Sequence, residues 1–78
     1  MNREAIFEGI DTAREVADEK WGTNTPYTRH DYNKSLTVLT EEVGEIARAI
    51  LEDDSEQMKA ELFDVLQVCT AWLEAMED

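Results

Sequence analysis

The sequence has few cysteines and histidines, and these shortages exclude several kinds of protein. Cys69 is the only cysteine among 78 residues, so the chain has no internal disulfide, and with a single histidine it lacks the ligands of a structural zinc ion. Cys69 also lies within the apolar stretch LQVCTAWL, where a small buried side chain is the ordinary role of cysteine. We therefore expect no disulfide scaffold, no zinc domain and no catalytic thiol.

Basic residues are also scarce. Seven lysines and arginines stand against 19 aspartates and glutamates, which gives a net charge of −12. A chain with this charge repels nucleic-acid phosphates and anionic membrane surfaces, and it attracts divalent cations. We therefore expect neither a nucleic-acid polymer nor a membrane among its partners.

Long apolar runs are missing as well. No stretch approaches the roughly 18 consecutive apolar residues of a membrane span, and the N-terminal MNREAIFEGID lacks the basic start and apolar block of a signal peptide. The sequence therefore predicts a cytoplasmic protein. Its apolar residues, 42% of the chain, recur at regular spacing, so we expect a single folded domain over residues 1–78. A core of this size is marginal by itself, and we expect partners to complete it.

Helical periodicity is what the chain does contain, and no segment alternates with period two for long enough to predict a sheet. Asn2 is placed to cap a first helix and Gly22 to end it. Between them, apolar residues recur at spacings of three and four: Ile6, Ile10, Ala13, Ala17 and Trp21. A polar connector with Pro26 precedes two more helices, so the sequence predicts an all-α fold with three helices per chain.

The second and third predicted helices have recognisable starts. Asp31 is the predicted N-cap of the second helix. Its predicted inward stripe is Leu36, Leu39, Val43, Ile46 and Ile50. Asp54 or Ser55 is expected to cap the third helix, with Gln57 placed to close a capping box on Asp54.

The third predicted helix is apolar over more than half of its circumference. At 100° per residue, one broad face holds Met58, Ala60, Leu62, Val65, Leu66, Val68, Cys69, Ala71, Trp72, Leu73, Ala75 and Met76. The remaining polar strip contains Gln67 and one apolar residue, Phe63. Three helices cover only one side of such a helix well, so we expect a homodimer or homotetramer that completes a bundle of four or more helices.

Four acidic residues project toward helix neighbours rather than toward solvent. Glu61 and Asp64 fall inside the apolar arc of the third helix, and Glu42 and Glu45 flank the core stripe of the second. Buried carboxylates must be neutralised, paired with cations or bound to a metal. Because no arginine or lysine projects to the same side, a hard divalent ion, Mg²⁺ or Mn²⁺, fits these oxygens best. The alternatives are ordinary surface acids, or acids protonated at an interface.

These residues also match a known family pattern. EVGE, at residues 42–45, and ELFD, at residues 61–64, resemble the ExxE and ExxD signature of the MazG-like, all-α nucleoside triphosphate pyrophosphohydrolases. The flanking residues resemble the family phrases LxEExGE and ELxDVL, and the similarity extends over residues 36–69. The segment EKWGTN, at residues 19–24, is a weaker match to the part that precedes the metal-binding helices.

The resemblance implies a Mg²⁺-dependent enzyme that cleaves an NTP or dNTP between the α and β phosphates, with Mn²⁺ as a possible substitute. Glu42, Glu45, Glu61 and Asp64 would be the metal ligands. Glu41 and Glu42 would be the catalytic carboxylates, with Glu41 acting as a supporting base or an extra ligand. The metal would offset phosphate charge and activate the attacking water.

Candidates for substrate contact lie around the connector. Lys20, Arg29 and Lys34 are candidate phosphate contacts, with ordinary surface charge as the alternative. Trp21 either stacks on a base or packs in the core, since it lies on the apolar stripe of the first helix. Many relatives continue beyond the ExxD helix into another substrate-contacting segment, whereas the sequence stops at Asp78. We expect either that a neighbouring subunit takes that place or that the protein is a reduced form with weak or lost activity.

Two other functions compete with nucleotide-pool pyrophosphohydrolysis. The first is a non-enzymatic acidic helical module whose apolar arc binds a partner, which predicts that Glu61 and Asp64 tolerate alanine. The second is a phosphoribosyl-ATP pyrophosphohydrolase, which shares the metal chemistry and differs in substrate. The sequence leaves the base and sugar of the nucleotide open.

Overall fold

The fold is a set of three helices, and a computed structural model describes it over residues 1–22 and 32–76. The helices are α1, Arg3–Trp21; α2, Tyr32–Leu51; and α3, Ser55–Met76. The described residues contain no strand, which confirms the all-α prediction. None of these three helices combines the length and the apolar character needed to cross a membrane.

The ends of α1 are set by the two residues that the sequence indicated. Asn2 is the N-cap, and its side-chain oxygen accepts a hydrogen bond of 2.8 Å from the backbone N–H of Ala5. Gly22 ends the helix with φ of 83°, a left-handed value that glycine adopts without strain. Its N–H donates to the Asp18 carbonyl at 2.9 Å, so both predicted boundaries are confirmed.

A three-residue turn reverses the chain between α2 and α3. Asp53 adopts a left-handed φ of 55°, and the Asp54 N–H donates to the Ala49 carbonyl at 2.9 Å. Asp54 is the cap of α3, because its Oδ1 accepts from the Gln57 N–H at 3.0 Å. The reciprocal half of the predicted capping box is wrong: the Gln57 side chain donates to Glu61 instead. The predicted cap of α2, Asp31, lies outside the described residues.

Helix α3 is the centre of the fold, because α1 and α2 both pack against it and, in the described chain, not against each other. Among residues 1–22 and 32–76, the buried apolar core consists of three residues, Ala49 of α2 with Val68 and Ala71 of α3. Small side chains at these positions let the helices approach closely.

The predicted inward stripe of α2 is wrong at three of its five positions. Leu36, Val43 and Ile50 are all more than half exposed, whereas Ser35 and Ala49 are 1% exposed. Because α2 has one helical neighbour in the described chain, only the strip that meets α3 is buried, and that strip runs beside the stripe of large apolar residues.

The polar strip assigned to α3 is wrong at Gln67 and Phe63, since α1 packs over this part of the helix. Gln67 is only 9% exposed, and Phe63 packs so closely on α1 that a Cβ added at Gly9 would lie 2.7 Å from the Phe63 Cζ. Arg14 links the two helices through a 2.8 Å hydrogen bond from its Nε to the Glu74 Oε1. A helical projection separates the faces of a helix by chemistry, but it does not tell which neighbour covers each face.

Candidate functional site

A cavity opens between α1 and α2, with α3 as its floor. Its volume of about 750 Å³ falls within the range of small-molecule sites in proteins. The cavity combines apolar, basic and acidic side chains: Ala13, Val16, Ala17, Lys20 and Trp21 from α1; Lys34, Val38, Glu41 and Glu42 from α2; and Asp64 and Gln67 from α3.

Three carboxylates meet where α2 packs on α3. Glu42, Glu61 and Asp64 each offer an oxygen, and these oxygens all lie within 4.8 Å of one another. Glu61 and Asp64 reach the same place because residues three apart on a helix share a face. Glu61 is 8% exposed, and its Oε1 accepts a 2.7 Å hydrogen bond from the Gln57 Nε2 one turn earlier. We call these three residues the acidic cluster.

The acidic cluster concentrates negative charge in a partly buried place. The pKa of Glu42 is raised from the ordinary 4.5 to about 7. Partial burial is the largest cause, followed by a hydrogen bond with Glu61 and by the charges of Asp64, Glu61 and Glu41. Burial, followed by the neighbouring charge of Glu61, also raises the pKa of Asp64. Near neutral pH the cluster therefore holds a proton that a cation would displace.

The donor set of the acidic cluster fits a hard divalent cation. An octahedral Mg²⁺ with bonds of about 2.1 Å holds its ligand oxygens no more than about 4.2 Å apart, so side chains grouped this closely need only small adjustments. All three donors are carboxylates, the ligands that Mg²⁺ and Mn²⁺ prefer. The Gln57 bond engages the Oε1 of Glu61 and so fixes the orientation of this carboxylate within the acidic cluster.

The other two candidate glutamates of α2, Glu41 and Glu45, are not part of the acidic cluster. Glu45 is exposed and belongs neither to the acidic cluster nor to the cavity lining in the described chain. Glu42 lies in line with the buried Ser35 and Ala49 on the side of α2 that meets α3, whereas Glu45 lies about 60° around the helix from that line. Glu45 is therefore at the edge of the contact with α3 and stays exposed. Glu41 is exposed, but it lines the cavity next to Glu42.

Three of the four predicted substrate contacts line the same cavity. Lys20 and Trp21 come from the end of α1, where the Lys20 Nζ lies 5.0 Å from the centre of the Trp21 ring. Trp21 is 57% exposed, so core packing is not its role in the described chain. Lys34 enters from the first turn of α2. Arg29, the fourth candidate, lies outside the described residues.

Comparison with known families adds an independent observation. The family model described as the MazG nucleotide pyrophosphohydrolase domain matches residues 30–78, more than half of the chain. The chain belongs to this family. No match was found among curated proteins or among solved structures.

Membership of the MazG family agrees with the chemistry of the cavity. The family description implies a nucleotide pyrophosphohydrolase, and the matched residues include all of α2 and α3, and with them the acidic cluster. Helix α1 lies outside the matched range, although it supplies Lys20 and Trp21 to the cavity.

Three residues of the chain were not assigned a role in the site from the sequence. Gln57 holds Glu61, Gln67 lines the cavity, and Arg14 donates to Gln67. Gln57 was detectable, since it lies four residues before Glu61 and therefore beside it on a helix. The Arg14 contact with Gln67 joins residues 53 positions apart, and no local pattern signals it.

Proposed function

We propose that the protein is a Mg²⁺-dependent nucleotide pyrophosphohydrolase that cleaves the α–β bond of an NTP or dNTP, releasing a monophosphate and pyrophosphate. One observation carries the proposal: carboxylates of the acidic cluster line the same cavity as two lysines and a tryptophan. Phosphates, cation and nucleoside therefore have complementary groups within one site. Family membership supports the reaction class.

The residues of the cavity have two proposed roles, binding of the metal ion and binding of the substrate. Glu42, Glu61 and Asp64 would hold Mg²⁺ or Mn²⁺, with Glu45 as a fourth ligand if its exposed side chain turns inward. When bound, the cation supplies positive charge that offsets the triphosphate and activates the attacking water. A triphosphate would otherwise be repelled by the acidic cluster.

The remaining groups of the cavity orient the substrate and move a proton. Lys20 and Lys34 bind phosphate oxygens, and the Trp21 ring stacks against the base. Glu41 lies beside Glu42 at the edge of the cavity and accepts a proton from the attacking water. The new bond joins the water oxygen to the α phosphorus, and the bridging oxygen leaves with pyrophosphate.

The decisive experiment combines a substrate panel with oxygen labelling. NTPs and dNTPs are incubated with Mg²⁺ in ¹⁸O-water, and the products are scored for pyrophosphate and orthophosphate. Attack at the α phosphorus predicts label in the monophosphate and unlabelled pyrophosphate. Orthophosphate alone would contradict α–β cleavage, and the absence of any release would favour a non-enzymatic interaction module.

Variants of the acidic cluster test the site itself. Glu61→Gln and Asp64→Asn keep the shape of each side chain but remove its charge, so we expect loss of at least 100-fold in kcat, on the order of 2.7 kcal/mol. The matched control is Glu56→Gln, an exposed residue of the same helix, which is expected to leave activity unchanged. Full activity in either cluster variant would rule out this site.

A second copy of the chain completes the fold in this proposal. Large apolar residues remain exposed on surfaces of α2 and α3 that do not line the cavity, and we call them the outer apolar face: Leu36, Val43, Ile50, Leu62, Leu66 and Leu73. Two helices of this kind from each protomer form a four-helix bundle. Sedimentation at micromolar concentration is expected to give two or four times the chain mass of 9.0 kDa. The cytoplasmic location stays a prediction.

A further inference from the structure

Gln67 is a buried polar side chain that lies inside the cavity yet outside the acidic cluster. It follows Asp64 by one turn of α3, is 9% exposed, and lines the same cavity. Burying an amide costs free energy unless its N–H groups and its oxygen form hydrogen bonds. The direction in which the Gln67 NH₂ group and oxygen point therefore determines which ligand atoms this side chain can bind.

Arg14 determines that orientation. Its Nη1 donates to the Gln67 Oε1 at 3.2 Å, and because a guanidinium has only donors, the amide oxygen rather than the amide nitrogen must face it. The Gln67 NH₂ group therefore points away from Arg14, where it can donate to a ligand in the cavity.

Arg14 is itself held in place. Its Nε donates to the Glu74 Oε1 at 2.8 Å, and its Nη2 donates to the Asp18 Oδ1 at 2.9 Å. Its side chain is 14% exposed, so these charge-assisted bonds are only partly screened by water. Gln67 thus receives its hydrogen bond from a fixed donor, and its NH₂ group has a fixed direction.

The surroundings of Gln67 indicate which part of a nucleotide it meets. The cavity residues of α1 that are nearest to Arg14 in the chain are apolar, Ala13, Val16 and Ala17, whereas Lys20 follows Arg14 by six residues, a rise of about 9 Å along the helix. An uncharged donor beside an apolar wall suits an uncharged acceptor.

We infer that the Gln67 Nε2 donates a hydrogen bond to an uncharged oxygen of the nucleoside part of the substrate, and that Arg14 is the residue that positions it. This inference rests on the proposed function and names a specificity determinant within that site. The acceptor is a carbonyl oxygen of the base or an oxygen of the sugar, and nucleotide pairs that differ in one group tell these sources apart.

The test measures equilibrium binding of non-hydrolysable α,β-imido nucleotides with Mg²⁺, alongside kcat and KM for the natural nucleotides. Gln67→Met keeps the size of the side chain and removes the donor, so we expect affinity to fall about 3- to 10-fold, the effect of one neutral hydrogen bond. A greater loss for uracil than for cytosine nucleotides, or for guanine than for adenine nucleotides, identifies a base carbonyl. A greater loss for ribonucleotides than for deoxyribonucleotides identifies a sugar oxygen. Inorganic tripolyphosphate, which has no nucleoside, is the control ligand and should bind both proteins equally.

A second variant guards against a purely structural effect. Gln67→Glu retains an acceptor for Arg14 and so keeps the contact between α1 and α3, but it replaces the donor with an acceptor. Nucleoside affinity should fall at least as far as in Gln67→Met while the melting temperature is maintained. Arg14→Met should weaken the same nucleotides, and combining it with Gln67→Met should add little, because the two residues act through one hydrogen bond.

The inference and the proposed function fail in different ways. Wild-type protein that releases no pyrophosphate removes the proposed function, and the analogue-binding comparison then still tests Gln67. If wild-type protein is active and Gln67→Met binds every nucleotide as wild type does, the inference is wrong. It is equally wrong if affinity for tripolyphosphate falls as far as affinity for nucleotides.

Discussion

At the scale of residues, the arrangement that lets the acidic cluster bind a cation also lowers the stability of the fold when no cation is bound. Glu42 and Asp64 both have raised pKa values because each is partly buried beside other carboxylates. The same closeness that suits a cation is unfavourable without one. Binding sites for highly charged ligands often lower the stability of the fold, because they place like charges close together in the positions that the ligand requires.

The first prediction concerns pH. The folded chain holds the Glu42 proton up to about pH 7, whereas the unfolded chain releases it near the ordinary value of 4.5, so the unfolding free energy falls as pH rises through this window. Asp64 acts in the same direction. In chelator, thermal melts should therefore show decreasing stability from about pH 5 to about pH 8. Mg²⁺ should restore stability most at the higher pH.

A matched pair of variants isolates the contribution of Glu42. Glu42→Gln removes the titrating group, so its melting temperature in chelator should depend less on pH than that of wild type. Glu56→Gln removes one exposed charge from the same chain and should keep the wild-type slope. Equal slopes in all three proteins would show that the general negative charge, and not the acidic cluster, causes the effect.

The second prediction concerns Gln57, which holds Glu61 through a 2.7 Å hydrogen bond. Gln57→Leu should free the Glu61 carboxylate to rotate and weaken Mn²⁺ binding about 10-fold, the lower end of the effects seen for groups that orient metal ligands. Calorimetric titration with Mn²⁺ measures it. The control is Lys59→Gln, an exposed change on the same helix, and unchanged affinity in Gln57→Leu would contradict an orienting role.

At the scale of elements, α1 is attached to α3 by a close contact and a charged network. Phe63 packs over Gly9, and Arg14 reaches Glu74 and Gln67. Residues 30–78, which match the family model, do not include α1, yet this attachment forms one wall of the cavity. The position of α1 therefore controls whether Lys20 and Trp21, the proposed substrate contacts, lie in the same cavity as the acidic cluster.

The third prediction compares two helical glycines. Gly9→Ala would place its Cβ 2.7 Å from the Phe63 Cζ, so the ring or the helix must move, and we expect a loss of about 1–3 kcal/mol in unfolding free energy. Gly44→Ala meets no atom within 4 Å in the described chain and should gain up to about 1 kcal/mol from helix propensity. Urea denaturation measures both.

A compensating change tests the cause of the Gly9 effect. Phe63→Leu, combined with Gly9→Ala, makes room for the new methyl group, so the double variant should be more stable than the sum of the two single changes. Simple additivity would show that Gly9 and Phe63 are not coupled.

At the scale of the whole molecule, the described chain buries very little apolar surface for its size. Its fully buried apolar residues are Ala49, Val68 and Ala71, while many large apolar side chains are exposed. Small domains bury a low fraction of their surface, and association with another copy is a common remedy. The outer apolar face provides the surface for such association.

The fourth prediction tests this assembly. Leu66→Lys and Leu73→Lys place charges on the outer apolar face and should shift the protein toward the single-chain mass in sedimentation, with loss of thermal stability. Thr37→Lys adds the same charge at an exposed polar position of α2 and should leave the mass unchanged. A wild-type protein that sediments as a compact monomer would contradict the proposed bundle.

The sequence by itself determined the helices and most of the acidic residues of the candidate site. Caps and periodicity depend on residues within about four positions of one another, so Asn2, Gly22 and Asp54 could be assigned from the chain. The same short range explains why Glu61 and Asp64 were expected to project to one side.

Only the tertiary structure decided which helix faces meet. It separated Glu42 from the exposed Glu45, buried Gln67 under α1, and left the predicted inward residue Val43 half exposed. These outcomes depend on contacts between distant residues, such as the 2.8 Å bond between Arg14 and Glu74 across 60 positions. A helix with two apolar or mixed faces can pack through either face. The packing free energy that favours one face depends on the side chains of the neighbouring helix as well as on those of the helix itself.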